Sequence, residues 1–389
     1  MAGLTKKGIL DHKGDFPNTG IDYSHPKYVK SLDGMRGILI LLVLQDHLDI
    51  LRHSAGFIAV NCFFVLSGFL ITWLLISEWD DSRTIRLKHF YFRRALRLFP
   101  ALFTMLAFFG LYTCLVNPAN RVAKDFHYIF EALFYFTNWA QIWEFGQRNY
   151  LSHTWSLSIE EQYYLIWAPI LLLLLRRTAS KTSLLWWTVL ATLCFVIVRA
   201  LVVYFGDPGW DGFWRFSRGL DTRADCLLVG CAAGIIISGQ LLPRRRWLEW
   251  ALSLAAAISC GGLIWLAEHD LYDHWMYYLG WFLASLFTAI IIVHLVYSPK
   301  GVLHWILETP PLVYIGIISY GLYIWHVPIF NIIHEHYPAH WRVVAVPVSV
   351  AATLVSYYLV ERPCLRLKKQ LNQPGKSARV ADAPVPGLK

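Results

Sequence analysis

The sequence predicts an all-α polytopic membrane protein with about ten transmembrane helices. Of its 389 residues, 56% are hydrophobic and 16% are charged, and the mean hydropathy is +0.44. Soluble domains carry about 25% charged residues, so this composition excludes an ordinary water-soluble fold. The formal net charge of +9 indicates no nucleic-acid partner, because basic residues on the inner face of a bilayer protein account for it.

Ten apolar segments are long enough to cross a lipid bilayer, and each is expected to form a helix. They cover residues 32–51, 56–77, 98–116, 155–175, 184–205, 221–238, 247–267, 275–297, 311–333 and 341–360. An eleventh apolar stretch, residues 126–143, is ambiguous.

The distribution of Lys and Arg predicts the orientation of these segments. With the N-terminus inside and residues 126–143 treated as non-spanning, the inner side carries 26 Lys and Arg and the outer loops carry 6. Counting 126–143 as a full span would invert every later loop and remove the asymmetry. We therefore predict that both termini are cytoplasmic and that 126–143 is a re-entrant or partly embedded outer segment.

A single membrane domain is predicted over residues 31–365. A cytoplasmic N-terminal segment, residues 1–30, precedes it and contains no signal-peptide core. The tail, residues 366–389, is rich in Pro, Gly and charged residues and is expected to be a flexible cytoplasmic end.

No metal site is predicted. The seven Cys show no ligand spacing, and packing is their expected role. The external run from His334 to His340 contains several histidines, but the sequence offers no second ligand cluster to accompany it.

Arg36 and His47 lie eleven residues apart in the first predicted span. On a helix they share one face and are about 16 Å apart along its axis. Ionisable groups at such depth are costly and usually mark a functional path. The alternative is an interfacial Arg that snorkels and a His that only hydrogen-bonds within the bundle.

Two further features suit a ligand that enters from the inner face. Ser67 and Gly68 in the second span are small enough to admit either a neighbouring helix or an extended ligand arm, and packing is the favoured role. Arg94 and Arg97 lie three residues apart at the inner start of the third span. Paired guanidiniums suit phosphate binding, although inner helix ends are often rich in Arg for topology alone.

The fourth predicted span enters from the outside and carries Glu160 and Glu161. A carboxylate at this depth is either paired with a cation or serves proton transfer, and Glu161 is the candidate for the structural role. Arg223 and Asp225, at another outer helix entrance, are expected to form an ion pair inside the bundle.

The last two spans add two polar residues. His326 is predicted in the outer half of its span, about 22 Å from the inner end. Glu361 is predicted at the inner interface, at the close of the last span.

Seven motifs, in order, resemble acyltransferase family 3 of integral membrane O-acyltransferases. They are SLDGMRGILILLVLQDHL, CFFVLSGFLIT, FYFRRALRLFP, HTWSLSIEEQYYLIWAP, DTRADCLLVG, SYGLYIWHVPI and LVERP. The resemblance implies ten membrane helices and transfer of an acyl group, expected to be acetyl, from acyl-CoA to a hydroxyl. It implies no permanently bound cofactor, and a location in the bacterial inner (cytoplasmic) membrane. Acceptors in the family include surface polysaccharides, peptidoglycan, lipid-linked glycans and macrolides.

The resemblance and the predicted topology together suggest roles on the donor side. Arg94 and Arg97 would bind the phosphates of cytoplasmic acyl-CoA. The pantetheine arm would then rise along the helices past Ser67 and Gly68.

The same hypothesis assigns the chemical step. With Arg36 at the inner interface, His47 lies near mid-membrane and would take the proton from the acceptor hydroxyl. Glu160 would orient that imidazole or relay the proton outward. Direct transfer is preferred, and a transient acyl-histidine is the alternative.

Two other classes of protein remain open from the sequence. A transporter or a lipid or glycan flippase would also have buried charges and small-residue helix contacts. Against it, the two halves show no matching pattern of broken helices. The third class is a scaffold or receptor whose intramembrane His and Glu are structural. Release of free thiol from acyl-CoA by the purified protein would separate the enzyme from both.

Overall fold

The computed structural model describes residues 28–50, 54–144, 149–206, 210–298 and 300–371, and over these residues all regular structure is helical. The helices are α1 Lys30–His47, α2 Ser54–Ser82, α3 Leu87–Val116, α4 Ala119–Leu133, α5 Thr137–Trp143, α6 Trp155–Arg177, α7 Lys181–Phe205, α8 Trp210–Arg218, α9 Leu220–Ser238, α10 Arg246–Glu268, α11 Trp281–Tyr297, α12 Val302–Leu307, α13 Pro310–Ile317, α14 Ser319–His336, α15 Trp341–Ser356 and α16 Arg362–Leu371. A 3-10 turn, Ser152–Thr154, precedes α6, and π-helical segments at Met276–Gly280 and Tyr357–Glu361 adjoin α11 and α16. Most of the predicted N-terminal segment and of the tail lies outside the described residues.

Seven of the described helices are long and apolar enough to cross a membrane. The helices α13 and α14 provide an eighth span if they are taken together. The predicted all-α polytopic class is therefore confirmed. Helices α1 and α9 coincide with the two remaining predicted spans. The count of ten spans and the cytoplasmic termini stay predictions.

The predicted ninth span, residues 311–333, is not one straight helix. Helices α13 and α14 meet at Ile318 with a bend of 68°. The depth predicted for His326 assumed a continuous rise along one axis, so that estimate of depth is wrong.

The ambiguous segment 126–143 forms two short helices, α4 and α5, and neither is long enough to span. The chain reverses between them at Tyr135, whose φ is 53°. The Tyr135 ring stacks on Phe99 of α3, with 6.1 Å between ring centres. Because Phe99 lies 17 residues before the end of α3 at Val116, the tip of the hairpin reaches about 25 Å along that helix. This geometry supports the predicted re-entrant form.

Helix α2 lies at the centre of the bundle, and 78% of its apolar stretch is buried. It packs closely against α9 because both helices have glycine at the contact. A Cβ on Gly68 would lie 2.0 Å from the main-chain oxygen of Leu227, and one on Gly230 would lie 2.0 Å from that of Val65. The packing role of Gly68 is therefore confirmed, and its placement along the donor path is wrong.

Candidate active site

Two cavities lie within the helix bundle, and both are lined by Val60 and Tyr323. The first, of about 870 Å³, we call the arginine cavity after five of its lining residues: Arg36, Arg86, Arg93, Arg94 and Arg97. The second, of about 890 Å³, we call the histidine cavity after four of its lining residues: His47, His153, His269 and His334. The arginine cavity is also lined by four carboxylates, those of Glu78, Asp81, Glu160 and Glu161. Val60 and Tyr323 therefore form the partition between a chamber lined by arginines and carboxylates and a chamber rich in imidazole.

Arg94 is enclosed by its own neighbours in the arginine cavity. Its Nε donates to Glu161 Oε1 at 2.8 Å, and its Nη2 lies 3.9 Å from Glu160 Oε2. Its guanidinium also covers the ring of Tyr164, 3.4 Å from the ring centre. Two carboxylates thus offset the charge of Arg94, which is an internal countercharge in this structure.

Arg97 has a different environment, although it lies only one helical turn further along α3. It lines the arginine cavity, and no carboxylate of the described residues forms an ion pair with it. Arg36 lies close enough to repel it, and Arg36 itself is 3.6 Å from Asp33. Unlike Arg94, Arg97 therefore retains a charge available to an anionic ligand.

Glu160 belongs to the arginine cavity and not to the histidine cavity. Its Oε2 accepts hydrogen bonds from Ser67 Oγ and from the Tyr164 hydroxyl, each at 3.1 Å. His47 lines the other cavity. The prediction that Glu160 orients the His47 imidazole is therefore wrong, because α6 turns this carboxylate toward α2 and α3. Ser67 lines the arginine cavity, and its role beside a donor stays a prediction.

The tip of the re-entrant hairpin contributes to the same chamber. Tyr135 lines the arginine cavity, and its carbonyl oxygen accepts a hydrogen bond from Gln162 Nε2 at 2.7 Å. Burial raises the pKa of the Tyr135 hydroxyl well above its ordinary value, so this group is protonated at neutral pH.

Three imidazoles come together beside the partition. His47 is the last residue of α1, and its ring centre lies 4.8 Å from that of His326 on α14. His153, in the turn before α6, lies 5.3 Å from His326 by the same measure. His326 and His153 are buried, whereas His47 is exposed to the cavity. His326 therefore lies next to His47, although the sequence predicts His47 near mid-membrane and His326 in the outer half of its span.

The main chain fixes the tautomer of each imidazole. His47 and His326 bond through Nδ1 to the carbonyl four residues earlier, at 2.9 and 3.0 Å. His153 bonds through Nε2 to the carbonyl of Ile324 at 3.1 Å. A carbonyl oxygen only accepts, so these nitrogens carry the proton, and the opposite nitrogens carry lone pairs in the neutral rings.

His153 is the site residue that sequence reasoning missed. It opens the motif HTWSLSIEEQYYLIWAP, seven residues before Glu160. The turn before α6 therefore supplies an imidazole to the histidine cavity, and α6 itself supplies a carboxylate to the arginine cavity. The Tyr323 hydroxyl donates to the His153 carbonyl at 2.7 Å and meets Ser156 Oγ at 2.5 Å, which fixes the partition to this turn.

The walls of the histidine cavity combine aromatic rings with polar groups. The rings belong to Phe57, Trp155, Phe213, Trp214, Tyr272 and Trp341, and the carboxylates to Asp46, Asp49 and Asp270. Arg218 lies over Trp155 and Trp214, 3.9 and 5.0 Å from their ring centres. A concave site with apolar faces and a few polar groups suits a ring-shaped polar ligand.

The ion pair predicted inside the bundle is present at Asp225, but Arg223 is not its partner, although both side chains are buried. Asp225 forms its ion pair with Arg199, which α7 contributes. Arg223 donates from Nη2 to Asn61 Oδ1 at 3.0 Å, and its guanidinium lies 4.5 Å from the ring centre of Trp281. Two residues along a helix are separated by about 200° around its axis, so α9 points the two side chains toward different helices and each has a separate partner.

Glu361 lies outside both cavities. It is buried in the π-helical segment, where it accepts a hydrogen bond from Ser356 Oγ at 3.3 Å. Its position suggests a structural role at the contact between this segment and α3.

Comparison with known proteins adds three relatives. Peptidoglycan O-acetyltransferase OatA of Listeria monocytogenes is 32% identical over 358 residues, 87% of this chain and 56% of the relative. Putative peptidoglycan O-acetyltransferase YrhL of Bacillus subtilis is also 32% identical, over 87% of this chain and 55% of its own length. A putative O-acetyltransferase of Staphylococcus aureus is 32% identical over 88% of this chain and 58% of its own length. The chain therefore spans a little over half the length of these relatives.

No solved structure matches the chain. A family model described as an acyltransferase domain matches residues 29–361, which include both cavities and all three clustered histidines. The chain therefore belongs to this acyltransferase family, and its long apolar helices indicate an integral membrane protein.

Proposed function

We propose that the protein is a membrane O-acetyltransferase that moves an acetyl group from acetyl-CoA to a hydroxyl of a carbohydrate. The observation that carries the proposal is the pair of cavities that share Val60 and Tyr323. One is suited to a polyanionic donor, and the other presents an imidazole to an acceptor. A thioester reaching the partition from one side would meet a hydroxyl arriving from the other.

The donor would enter through the arginine cavity. CoA is cytoplasmic and carries several phosphates, so it requires a cationic chamber that opens to the inner side. Ten spans with both termini cytoplasmic would place the start of α3, and therefore Arg97, at that side. We assign Arg97 as the principal phosphate ligand and the Ser67 side of the cavity to the pantetheine arm. The membrane would be the inner (cytoplasmic) membrane of a bacterium.

The acceptor would occupy the histidine cavity. Its aromatic walls suit the apolar faces of sugar rings, and its polar groups suit hydroxyls. Two of the relatives are named for peptidoglycan. We therefore propose a peptidoglycan sugar as the first acceptor to test, with other surface glycans and glycosylated small molecules such as macrolides after it.

His47 would act as the general base. Its Nδ1 holds the proton for the main chain, so Nε2 is the nitrogen that accepts one. Removal of the acceptor proton lets the hydroxyl oxygen attack the thioester carbonyl carbon. The carbon–sulfur bond then breaks, and the leaving sulfur takes the proton from His47. The products are an O-acetyl ester and free CoA. Direct transfer needs no acyl-histidine.

Transport without covalent chemistry is not favoured. Membership of an acyltransferase family assigns a covalent function to the residues matched. The two chambers would serve a donor and an acceptor on opposite sides of one partition without moving either across the membrane.

The test uses the full chain in lipid nanodiscs with acetyl-CoA and soluble peptidoglycan fragments. We expect acceptor-dependent release of thiol and a mass increase of one acetyl group on the fragment. His47→Ala should release none, whereas His340→Ala, a change at an exposed histidine outside both cavities, should match the parent. Absence of thiol release with peptidoglycan, polysaccharide and macrolide acceptors alike would contradict the proposal.

A further inference from the structure

We infer that His153 and His326 are positioning residues that hold the proton which His47 removes from the acceptor. This inference rests on the proposed acyl transfer and extends it. His326 lines neither cavity, and His153 is almost fully buried in the wall of the histidine cavity, so both would act through His47.

The first observation is a pair of unsatisfied nitrogens. His153 Nδ1 and His326 Nε2 are buried and have no hydrogen-bond partner among the described residues. The side chains are almost fully enclosed, with 3% and 0% of their surface exposed. Because the other nitrogen of each ring donates to a main-chain carbonyl, the unsatisfied atoms are lone-pair acceptors. Buried acceptors without donors are rare and call for an explanation.

The second observation is what lies beside them. The ring of His47 meets that of His326 edge to face at 4.8 Å, and the His153 ring adjoins His326 at 5.3 Å. The charge of His47 interacts with both neighbours. When His47 takes a proton it gains a second N–H, which can donate to one of the two orphan acceptors. The protonated cluster therefore makes one hydrogen bond that the neutral cluster lacks.

The number of protons on the three imidazoles is the same before and after one turnover. The acceptor O–H proton moves to His47 Nε2 as the oxygen attacks the thioester carbon. The new N–H then donates to His326 Nε2 or His153 Nδ1, directly or through one water. When the carbon–sulfur bond breaks, the sulfur takes this proton, and all three imidazoles are neutral again. The cluster holds one proton only, because a second charge would be repelled by the first.

Other charged groups face this cluster from the surrounding elements. In the histidine cavity these are Asp46 and Asp49 near the end of α1, Arg218 on α8, His269 and Asp270 after α10, and His334 on α14. None of them is changed in the test below, so their influence is common to the parent and all variants.

The test deletes each orphan nitrogen while keeping the main-chain bond. Asn in place of His326 retains a donor at the δ position and removes the ε nitrogen. Gln in place of His153 retains a donor at the ε position and removes the δ nitrogen. The reversed substitutions, His326→Gln and His153→Asn, are matched controls, because each returns an amide oxygen to the orphan position.

We expect His326→Asn and His153→Gln to lower single-turnover kcat about 10- to 100-fold, less than the roughly 10²- to 10⁴-fold loss of the base itself. KM for acetyl-CoA should not change. A neighbouring acceptor stabilises the protonated His47, so its loss should move the acidic limb of the pH–rate profile to lower pH by about half a unit or more. The reversed variants should recover part of the rate. A purely structural role would not shift the limb.

An unshifted acidic limb of the pH–rate profile in folded His326→Asn and His153→Gln proteins would overturn the inference. Different results would contradict the proposed function: acetyl transfer by His47→Ala, or no acetyl transfer by the parent.

Discussion

Arg94 lies between Glu160 and Glu161, with its Nε 2.8 Å from Glu161 Oε1 and its Nη2 3.9 Å from Glu160 Oε2. The sequence predicts one shared role, phosphate binding, for Arg94 and Arg97. In the structure, two carboxylates offset the charge of Arg94, and no carboxylate of the described residues pairs with Arg97. The two arginines therefore have different expected functions, and substitution separates them.

Arg97→Ala should weaken acetyl-CoA binding. A charge-assisted contact to phosphate is worth about 1.5–3 kcal/mol, or roughly 10- to 150-fold in affinity. The salt dependence of binding should also fall, because a phosphate contact is screened by ions. Calorimetric titration of CoA into the nanodisc protein measures both quantities.

Three further variants make this test specific to the position. Arg97→Lys should rescue binding in part, because it restores the charge without the planar fork. Arg94→Ala should chiefly lower the thermal unfolding midpoint, since it leaves two carboxylates without their cation. Arg121→Ala, at an exposed ion pair with Glu335, should change neither the CoA affinity nor its salt dependence. If Arg97→Ala bound CoA with the same affinity as the parent, Arg97 would be only an inner-face anchor.

His47→Ala should abolish acetyl transfer while acetyl-CoA still binds. Loss of a general base typically costs about 10² to 10⁴ in rate. The donor chamber does not include His47, so calorimetric CoA affinity should equal that of the parent. Turnover near the parental rate would exclude His47 as the base and leave His326, 4.8 Å away, as the next candidate.

Glu160→Gln should change the rate far less than His47→Ala. The amide oxygen still accepts from Ser67 and Tyr164, and Glu161 remains to pair with Arg94. Removal of one negative charge from the arginine cavity should leave CoA affinity equal or tighter. We expect less than about a 10-fold fall in kcat and no change in its pH profile. A shift in the acidic limb of the pH–rate profile would instead support the sequence prediction that Glu160 orients the His47 imidazole.

The sequence predicts the helical class and the reversal within residues 126–143, because apolar length and the Lys and Arg distribution are properties of the chain itself. Helix periodicity also predicts that Arg36 and His47 share one face of α1, but it does not show that they line different cavities. The sequence assigns Glu160 and Asp225 to the wrong partners. Which neighbouring helix a polar residue meets depends on the rotation and order of packed helices, and single-helix periodicity contains neither.

His153 also shows that the sequence does not reveal which helices meet. Its distance from Glu160, two helical turns, is visible in the sequence, and so is its position at an outer helix entrance. Its approach to His326 is not visible, because 173 residues separate them and the bend of 68° between α13 and α14 changes where His326 lies.

Reporter fusions test the sidedness on which the donor and acceptor assignments depend. Residues 148 and 180 flank α6 and should report opposite sides of the membrane. Residues 117 and 148 flank the re-entrant hairpin and should report the same side, because α4 and α5 are too short to span. A fusion at 117 on the side opposite to 148 would contradict the re-entrant form, and equal sides at 148 and 180 would contradict the span between them.

The buried pair of Arg199 and Asp225 predicts a stability effect without a change in chemistry. Both side chains are fully enclosed, so Asp225→Asn should leave Arg199 as an uncompensated charge. Breaking a buried pair in this way costs about 3–5 kcal/mol, and the thermal unfolding midpoint should fall markedly. The double change Arg199→Met with Asp225→Leu should recover most of the loss, because apolar residues of similar volume often replace such a pair without penalty.

The exposed pair of Arg121 and Glu335 is the matched control for this prediction. Its side chains are 57% and 41% exposed, so solvent screens their attraction. Arg121→Ala should cost less than about 1 kcal/mol. Circular dichroism at 222 nm in nanodiscs gives the midpoints, and acetyl-CoA binding at low temperature shows that each variant folds. If Asp225→Asn unfolded at the parental midpoint, Arg199 would have to find a second partner in the bundle, and the pair would not be what joins α7 to α9.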